Sequence, residues 1–530
     1  MIFLTRTSDL ERLFAAQSIC YLIGGYDGSG NYGDILQLLG ALDILEQFGE
    51  RMLVVPLISY EYKQSCNDLY QQHRDLFGDA CFLYYDWKDR SGDVLPGENM
   101  KRISHPPSVY SQIFIYGGGF FTSRWMEVKL DIIENLERWI PFDGKVEGER
   151  FPPPIISGQQ ISPGVLARPE SDRLVDLLKR AALVGVRDYI SYNCISDLGN
   201  ADINERLFLS HDDSLEYITA SMGSKGYSPQ PEPARAEVES HPFTMNVHFS
   251  LEDYVTERPD HFLSTVGSII KSIIDYCDSE MTINFLIAYE DRRISESRFV
   301  EQLLQRYLPE AQAMANTVHL NSELQNITCF AQADLTICSS YHVALSSLLS
   351  GVPTFFVYDN DYYYQKTAGL KEQFHIPKEF FFDNRDEDHS RFYQTLEALV
   401  EGGDFKRRFK GSIYPAVIDV MRTRQKARIL VTKHLVQNLL REGDRNYDSM
   451  AQDLLKSMER LSILQSNYSS LLNAASNLSR EVEDLRSQLQ YYEQLRFQLV
   501  DRLFTTLGKR RFLHPLIRFL HGLVRRIVRD

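Results

Sequence analysis

Two side chains carry most of the chemical promise of this chain, His342 and Arg187. His342 follows the apolar run Leu335-Thr336-Ile337-Cys338 and the short link Ser339-Ser340-Tyr341, and it precedes a helix-like stretch that ends at Gly351-Val352-Pro353. The order strand, turn, helix puts an imidazole at the first turn of a helix, where α/β domains gather their ligands. There it can give or take a proton near neutral pH. The plainer alternative is a structural histidine. Arg187 ends the strand-like run Ala182-Leu183-Val184-Gly185-Val186. Its planar fork matches carboxylate and phosphate, which suits an anion clamp. The alternative is a surface salt bridge to Asp188, Asp212 or Asp213.

Glycine-rich segments accompany these two residues. The first runs from Gly24 to Asp34 and includes Gly30, Asn31 and Gly33, between the apolar run Ile19–Ile23 and a helix-like run from Ile35. The second is Gly117-Gly118-Gly119, after Ile113–Tyr116. The third is Ser157-Gly158-Gln159-Gln160-Ile161-Ser162-Pro163-Gly164, after Pro154-Ile155-Ile156. Read as turns at strand ends, they describe one wall of a ligand cleft, because bare backbone N–H groups can approach a ligand closely there. Asn31 tolerates left-handed backbone, and Asp34 reads as the cap of a helix starting at Ile35 rather than as a catalytic group.

The elements that must hold these residues are legible as well. From about residue 17 to 222, continuous apolar runs alternate with helix-like stretches, the pattern of a parallel sheet covered on both faces. A Gly/Ser/Pro-rich stretch at 223–243 reads as a linker, and a second α/β series covers 244–400. The fold class is therefore α/β, with two Rossmann-like doubly wound domains facing a cleft. Residues 401–446 read as helices closing the second domain, and 447–506 as a coiled coil or a single amphipathic helix. Residues 507–530 form a basic amphipathic tail suited either to an anionic membrane surface or to a docking partner.

Composition narrows the classes. The chain has 530 residues and a formal charge of −15, which argues against general nucleic-acid binding. Its 7 cysteines show no paired spacing, and no run is apolar enough for a membrane span or a signal peptide. A cytoplasmic protein is expected, with peripheral membrane contact through the tail and self-association through the coiled coil. No metal-ligand cluster stands at the required spacing.

The ordered set of motifs resembles the polysaccharide pyruvyl transferases. It comprises Gly30-Asn31-Tyr32-Gly33-Asp34, Gly117–Gly119, Gly158 to Pro163, Val184 to Asp188, His211-Asp212-Asp213, and the segment from His342 to Gly351-Val352-Pro353. The resemblance implies a two-domain architecture of the GT-B type. It also implies transfer of the pyruvyl unit of phosphoenolpyruvate to a saccharide acceptor, with no further cofactor. Under it, His342 and Arg187 are the catalytic candidates. Gly30, Asn31, Gly33, Asp34, Gly118, Gly119, Gly158 and Gln159 face the acceptor. One departure matters: the family pattern has arginine two residues before the histidine, and here Ser340 stands in its place. Arg292, Arg293 or Lys366 could restore the missing charge on the donor side. Otherwise the donor differs, as in a glycosyltransferase using a nucleotide sugar, or the protein is an inactive sugar-binding scaffold. The aromatic run Tyr362-Tyr363-Tyr364 beside Lys366 suits a sugar face or a packed loop.

Overall fold

The computed structural model describes residues 2–441 except 87–99, 104, 106–109, 123–124, 141–152, 169–170, 225–241, 250–255, 257, 278–279, 291–294, 322–323, 325–326 and 403–404. Arg292, Arg293, most of the expected linker, the coiled-coil stretch and the basic tail lie outside the described residues. Met1–Glu442 form one compact unit.

The first sheet contains β1 (Ile2–Arg6), β2 (Ser18–Ile23), β3 (Leu53–Ser59), β4 (Leu83–Asp86), β5 (Met100–Ile103), β6 (Tyr110–Ile115), β7 (Gly118–Phe121), β8 (Ile155–Ile161), β9 (Leu183–Val186) and β10 (Leu207–Leu209). Its order is β10-β9-β8-β6-β2-β3-β4-β1-β5, with β7 beside β8. The pairings are parallel except at β1, which runs antiparallel to both β4 and β5. Strands β2 and β6 are buried almost throughout, as continuous apolar runs require when helices cover both faces.

The second sheet holds β11 (Phe243–His248), β12 (Met281–Ile287), β13 (Ala315–His319), β14 (Leu335–Cys338), β15 (Thr354–Tyr358) and β16 (Phe381–Asp383). It is parallel throughout, in the order β13-β12-β11-β14-β15-β16. Each sheet reverses its strand order within its parallel part, between β2 and β6 in the first and between β11 and β14 in the second. Ligands of open α/β sheets bind beyond the carboxyl ends of the strands at such reversals. Two parallel sheets, each with its own reversal, constitute the expected GT-B-like architecture.

The helices that bear on the site are α1 (Tyr32–Glu46), α2 (Met126–Trp139), α3 (Ser214–Ser224), α4 (Glu296–Arg306), α5 (Tyr341–Leu349), α6 (Asp361–Phe374) and α7 (Phe405–Arg441). Several expectations need correction. Helix α1 starts at Tyr32, not Ile35, because the Asn31 side chain accepts from the N–H groups of Gly33 (3.1 Å) and Asp34 (3.4 Å). Asn31 is thus the cap, and the Asp34 carboxyl is released from that duty. The third glycine segment does not turn at Gly158: β8 runs through to Ile161. Gly158 adopts φ 65° at a shift in register between Ile156 and Gln159, a bulge that only glycine takes without strain. Gly118 and Gly119 likewise open strand β7. The Tyr362–Tyr364 run lies on the first turn of α6, not in a loop. Finally, the region expected to close the second domain is largely one 37-residue helix, α7, which also runs onto the first.

Contacts join the two sheets directly. The Tyr32 amide donates to the Ala288 carbonyl (2.9 Å), and Asn321 Nδ2 donates to the Gly30 carbonyl (3.4 Å). Gln160 Nε2 donates to the Gln365 carbonyl (3.3 Å). The first and third glycine segments therefore face the second domain.

Candidate active site

The turn after β10, His211-Asp212-Asp213, is the centre of the site. All three side chains are buried. Asp212 Oδ2 accepts from Gln37 Nε2 of α1 (2.9 Å), and its Oδ1 accepts from the Ser214 amide (3.0 Å). His342 Nε2, from the first turn of α5, stands 3.6 Å from Asp212 Oδ1, and Arg187 Nη1 stands 3.7 Å from Oδ2. Burial pushes the Asp212 carboxyl up. The charges of His342 and Arg187, with the hydrogen bonds made to it, outweigh burial and hold it well below the usual carboxylate range. An ionised carboxylate thus faces the imidazole that the strand-turn-helix pattern points to.

His342 rests against α1. A methyl group on Gly33 would stand 2.0 Å from its Nδ1, so the glycine at this position makes room for the ring. Among the described residues its Nε2 has no hydrogen-bond partner, and the side chain is only 13% exposed. The ring is seated and oriented between α1 and the Asp212 carboxylate.

Arg187 is neither an exposed fork nor a surface ion pair. It is 1% exposed. Its Nη2 donates to Gln160 Oε1 (2.5 Å), its Nε stands 3.6 Å from Asp188 Oδ2, and its guanidinium carbon lies 3.9 Å from the centre of the Tyr341 ring. Two of the carboxylates expected as surface partners, Asp188 and Asp212, are present but buried with it. β9 lies inside the edge strand β10, and its end at Val186 is buried together with Arg187, which leaves the fork no solvent face.

Asp34 faces the same space from α1. A methyl on Gly25 would come within 2.5 Å of its Oδ1. Burial raises its pKa; His342 opposes the rise, Asp27 adds to it, and Lys366 and Lys129 oppose it. Lys129, buried on α2, sits with Nζ 3.4 Å from the Gly24 carbonyl oxygen, and burial lowers its pKa against the pull of Asp27 and Asp34. Lys366 Nζ lies 4.6 Å from the centre of the Tyr362 ring and 5.5 Å from that of Tyr363. The tyrosines thus stack on their own lysine, as cation and ring attract. Ser340 is the N-cap residue of α5, half-buried, and its side chain makes no capping bond. Gln159 is turned inward, donating to the Tyr116 carbonyl (2.7 Å).

The structure adds Gln37 and Arg424, which sequence reasoning passes over, and gives Asp212 and Asp213 more than the salt-bridge role expected of them. Gln37 and Asp212 hold the histidine's surroundings. Asp213 accepts from the Gly117 amide (2.5 Å) and Ser157 Oγ (2.6 Å), and so ties the second and third glycine segments together. Arg424 of α7 stands behind it, with Nη2 2.6 Å from Asp213 Oδ1 and Nε 2.9 Å from Glu216 Oε1. The available signal is the triplet His211-Asp212-Asp213, three titratable residues at one strand end.

His211 offers a test of this packing. Its backbone is left-handed (φ 56°), and its Nδ1 stands 3.2 Å from the Arg187 carbonyl oxygen. Burial pushes its pKa down to about 4, only partly opposed by that contact. A base whose folded pKa is depressed binds fewer protons folded than unfolded. Its contribution to stability is therefore complete above about pH 6.5 and is lost as pH falls toward 4. The unfolding free energy from urea denaturation should fall between pH 7 and pH 4.5, and His211→Asn, which tolerates the left-handed backbone, should reduce that fall by roughly 2–3 kcal/mol. An identical pH profile in wild type and variant would refute the assignment.

A comparison with family models finds the polysaccharide pyruvyl transferase family over residues 31–362. The chain belongs to this family. The match begins at the cap of α1 and ends in the first turn of α6, so it encloses Arg187, Asp212 and His342 and leaves out Arg424. A search of curated proteins gives no match. Among solved structures, the chain is similar to a Listeria monocytogenes protein described as a putative UDP-N-acetylglucosamine 2-epimerase, with 9% identity, 81% of this chain and 98% of that one covered, and TM-score 0.49. The UDP-GlcNAc 2-epimerase of Neisseria meningitidis bound to UDP-GlcNAc gives 7% identity, 80% and 100% coverage and TM-score 0.47. Arabidopsis thaliana UGT89C1 complexed with UDP-L-rhamnose gives 8% identity, 79% and 99% coverage and TM-score 0.41.

Proposed function

We propose that this family member transfers the pyruvyl group of phosphoenolpyruvate to a sugar of a cell-surface polysaccharide or its precursor, acting at the cytoplasmic face. The observation that carries the reading is the His342–Asp212 pair, set against the first turn of α1 with Asp34 nearby. Protonation of the methylene carbon of the enol makes the adjacent carbon electrophilic. His342 supplies that proton, with the ring oriented by Asp212 and α1. A sugar hydroxyl then bonds to the electrophilic carbon and passes its proton to Asp34, whose raised pKa suits a base that must later release it. The bond to phosphate then breaks, a second hydroxyl of the same sugar bonds to the same carbon and gives its proton to the departing phosphate, and a ketal remains.

Arg187 serves this scheme from below, holding Asp212 ionised and Tyr341 in place. Lys366 is the cation for the donor's anionic groups, with Arg292 and Arg293 as further candidates. The basic tail is assigned to peripheral membrane contact and the coiled-coil stretch to self-association.

Calorimetry with phosphoenolpyruvate, and with UDP as the control, tests the donor. The wild type should bind phosphoenolpyruvate and not UDP, and Lys366→Ala should weaken that binding about 10- to 100-fold, the worth of one charge-assisted contact. Binding of UDP alone would make the protein a nucleotide-sugar glycosyltransferase. Binding of neither would leave a sugar-binding scaffold.

A further inference from the structure

The second sheet reverses its strand order between β11 and β14, and two residues at that reversal, His248 and Ser339, have no part in the scheme above. His248 is the last residue of β11 and pairs in register with Cys338, the last of β14. The next residue, Ser339, donates its amide to the His248 carbonyl (3.3 Å). His248 is 5% exposed and Ser339 1%. Yet among the described residues neither His248 Nδ1 nor Ser339 Oγ has a hydrogen-bond partner, and Nε2 has only an ion-pair contact with Glu296. Buried polar atoms are nearly always satisfied, and leaving them unpaired at one place costs stability unless something else pairs them.

The surroundings say what that something is. Ser339 and Ser340 lead directly into the nine-residue helix α5, whose unpaired N–H groups and dipole favour an anion. Glu296, the first residue of α4, stands with Oε2 3.3 Å from His248 Nε2 and accepts from the amides of Ala288 (2.7 Å) and Tyr289 (3.0 Å). Glu296 therefore faces one edge of the ring and leaves Nδ1 to point elsewhere. A phosphoryl group at the start of α5 would find a hydroxyl donor, an imidazole N–H and backbone N–H groups, a donor set suited to tetrahedral oxyanions. This set also lies beside Ser340, where the family pattern has an arginine.

We infer that His248, Ser339 and the N-terminus of α5 form a phosphoryl subsite, which seats the phosphate of the donor and does there what an arginine at position 340 would do. The inference rests on the donor being a phosphate ester, as proposed above. The same chemistry would hold the phosphates of a nucleoside diphosphate.

Calorimetry on the full chain with inorganic phosphate, phosphoenolpyruvate, pyruvate and UDP tests it, using Ser339→Ala and His248→Gln. Both variants should bind inorganic phosphate and phosphoenolpyruvate about 10-fold more weakly and pyruvate unchanged. Ser339→Ala should not lower Tm, because it deletes an unpaired hydroxyl, so weaker binding in that variant does not reflect misfolding. Unchanged phosphate affinity in both variants overturns the subsite, as does equal weakening of pyruvate, or a wild type that binds no phosphate-bearing probe. If UDP rather than phosphoenolpyruvate binds and is weakened, the subsite stands and the pyruvyl-transfer reading falls. The same holds if phosphoenolpyruvate binds and is weakened but no acceptor releases phosphate.

Discussion

Replacing His342 by alanine should lower phosphate release from phosphoenolpyruvate, measured with a competent acceptor, by about 10²- to 10⁴-fold, the usual worth of a positioned acid or base. The donor's affinity should change by only a few-fold. The expectation follows from how little else the ring does: its Nε2 makes no hydrogen bond among the described residues, and its nearest charged partner, Asp212, keeps Gln37, Arg187 and the Ser214 amide without it. The site's floor therefore survives the substitution, and the loss falls on kcat. A variant that retained its turnover, or lost only binding, would remove His342 from the chemistry.

The second large effect is on stability. Arg424→Ala should destabilise the fold by roughly 3–5 kcal/mol, because it strands charges that are out of water. Asp213 is fully buried and Glu216 nearly so, and Arg424 reaches both while also donating to the Ser210 carbonyl (3.2 Å). Burial already raises the Asp213 pKa, and Arg424 is the strongest influence holding it down. Without the arginine, Asp213 should take up a proton, and its bonds to the Gly117 amide and Ser157 should weaken. Arg428, one turn along, binds Asp43 and Glu216, but its side chain is 33% exposed. Arg428→Ala should cost only about 1 kcal/mol or less. Denaturant unfolding of the two variants side by side measures the difference. Equal losses would mean that burial of the Arg424 cluster does not govern its worth.

Some of this is legible in the sequence for physical reasons. Buried parallel strands must be continuously apolar, so β2, β6 and β14 stand out as runs. Glycines that must tolerate left-handed backbone or a ring at contact distance leave a mark in composition, as at Gly158 and Gly33. His342 is visible because it follows a strand and opens a helix. Other features have no local signature. The cap of α1 belongs to Asn31 rather than Asp34, a choice between two good capping residues decided by where the helix begins. The burial of Arg187 depends on where β9 lies in the sheet, which pattern does not record. Nothing near Arg424 announces that it will meet Asp213, because the two are brought together by a helix crossing between sheets. The orphaned polar atoms of His248 and Ser339 are likewise properties of packing rather than spacing.

Helix α7 has a mechanical consequence. Its first turns belong to the second sheet's side: Lys406 pairs with Asp334 (3.3 Å), Phe409 lies 5.3 Å from Phe380 between ring centres, and Lys410 packs over Gly351. Its later turns belong to the first: besides Arg424 and Arg428, Thr432 receives a hydrogen bond from Gln47 (2.8 Å), and Asn438 donates to Gln112 (3.2 Å). Between these two anchorages sits Pro415, which lacks an N–H and breaks the helical ladder where it stands. Any change in the spacing of the sheets that kept both sets of contacts would have to be taken up along this one rod, and its ladder is weakest at Pro415.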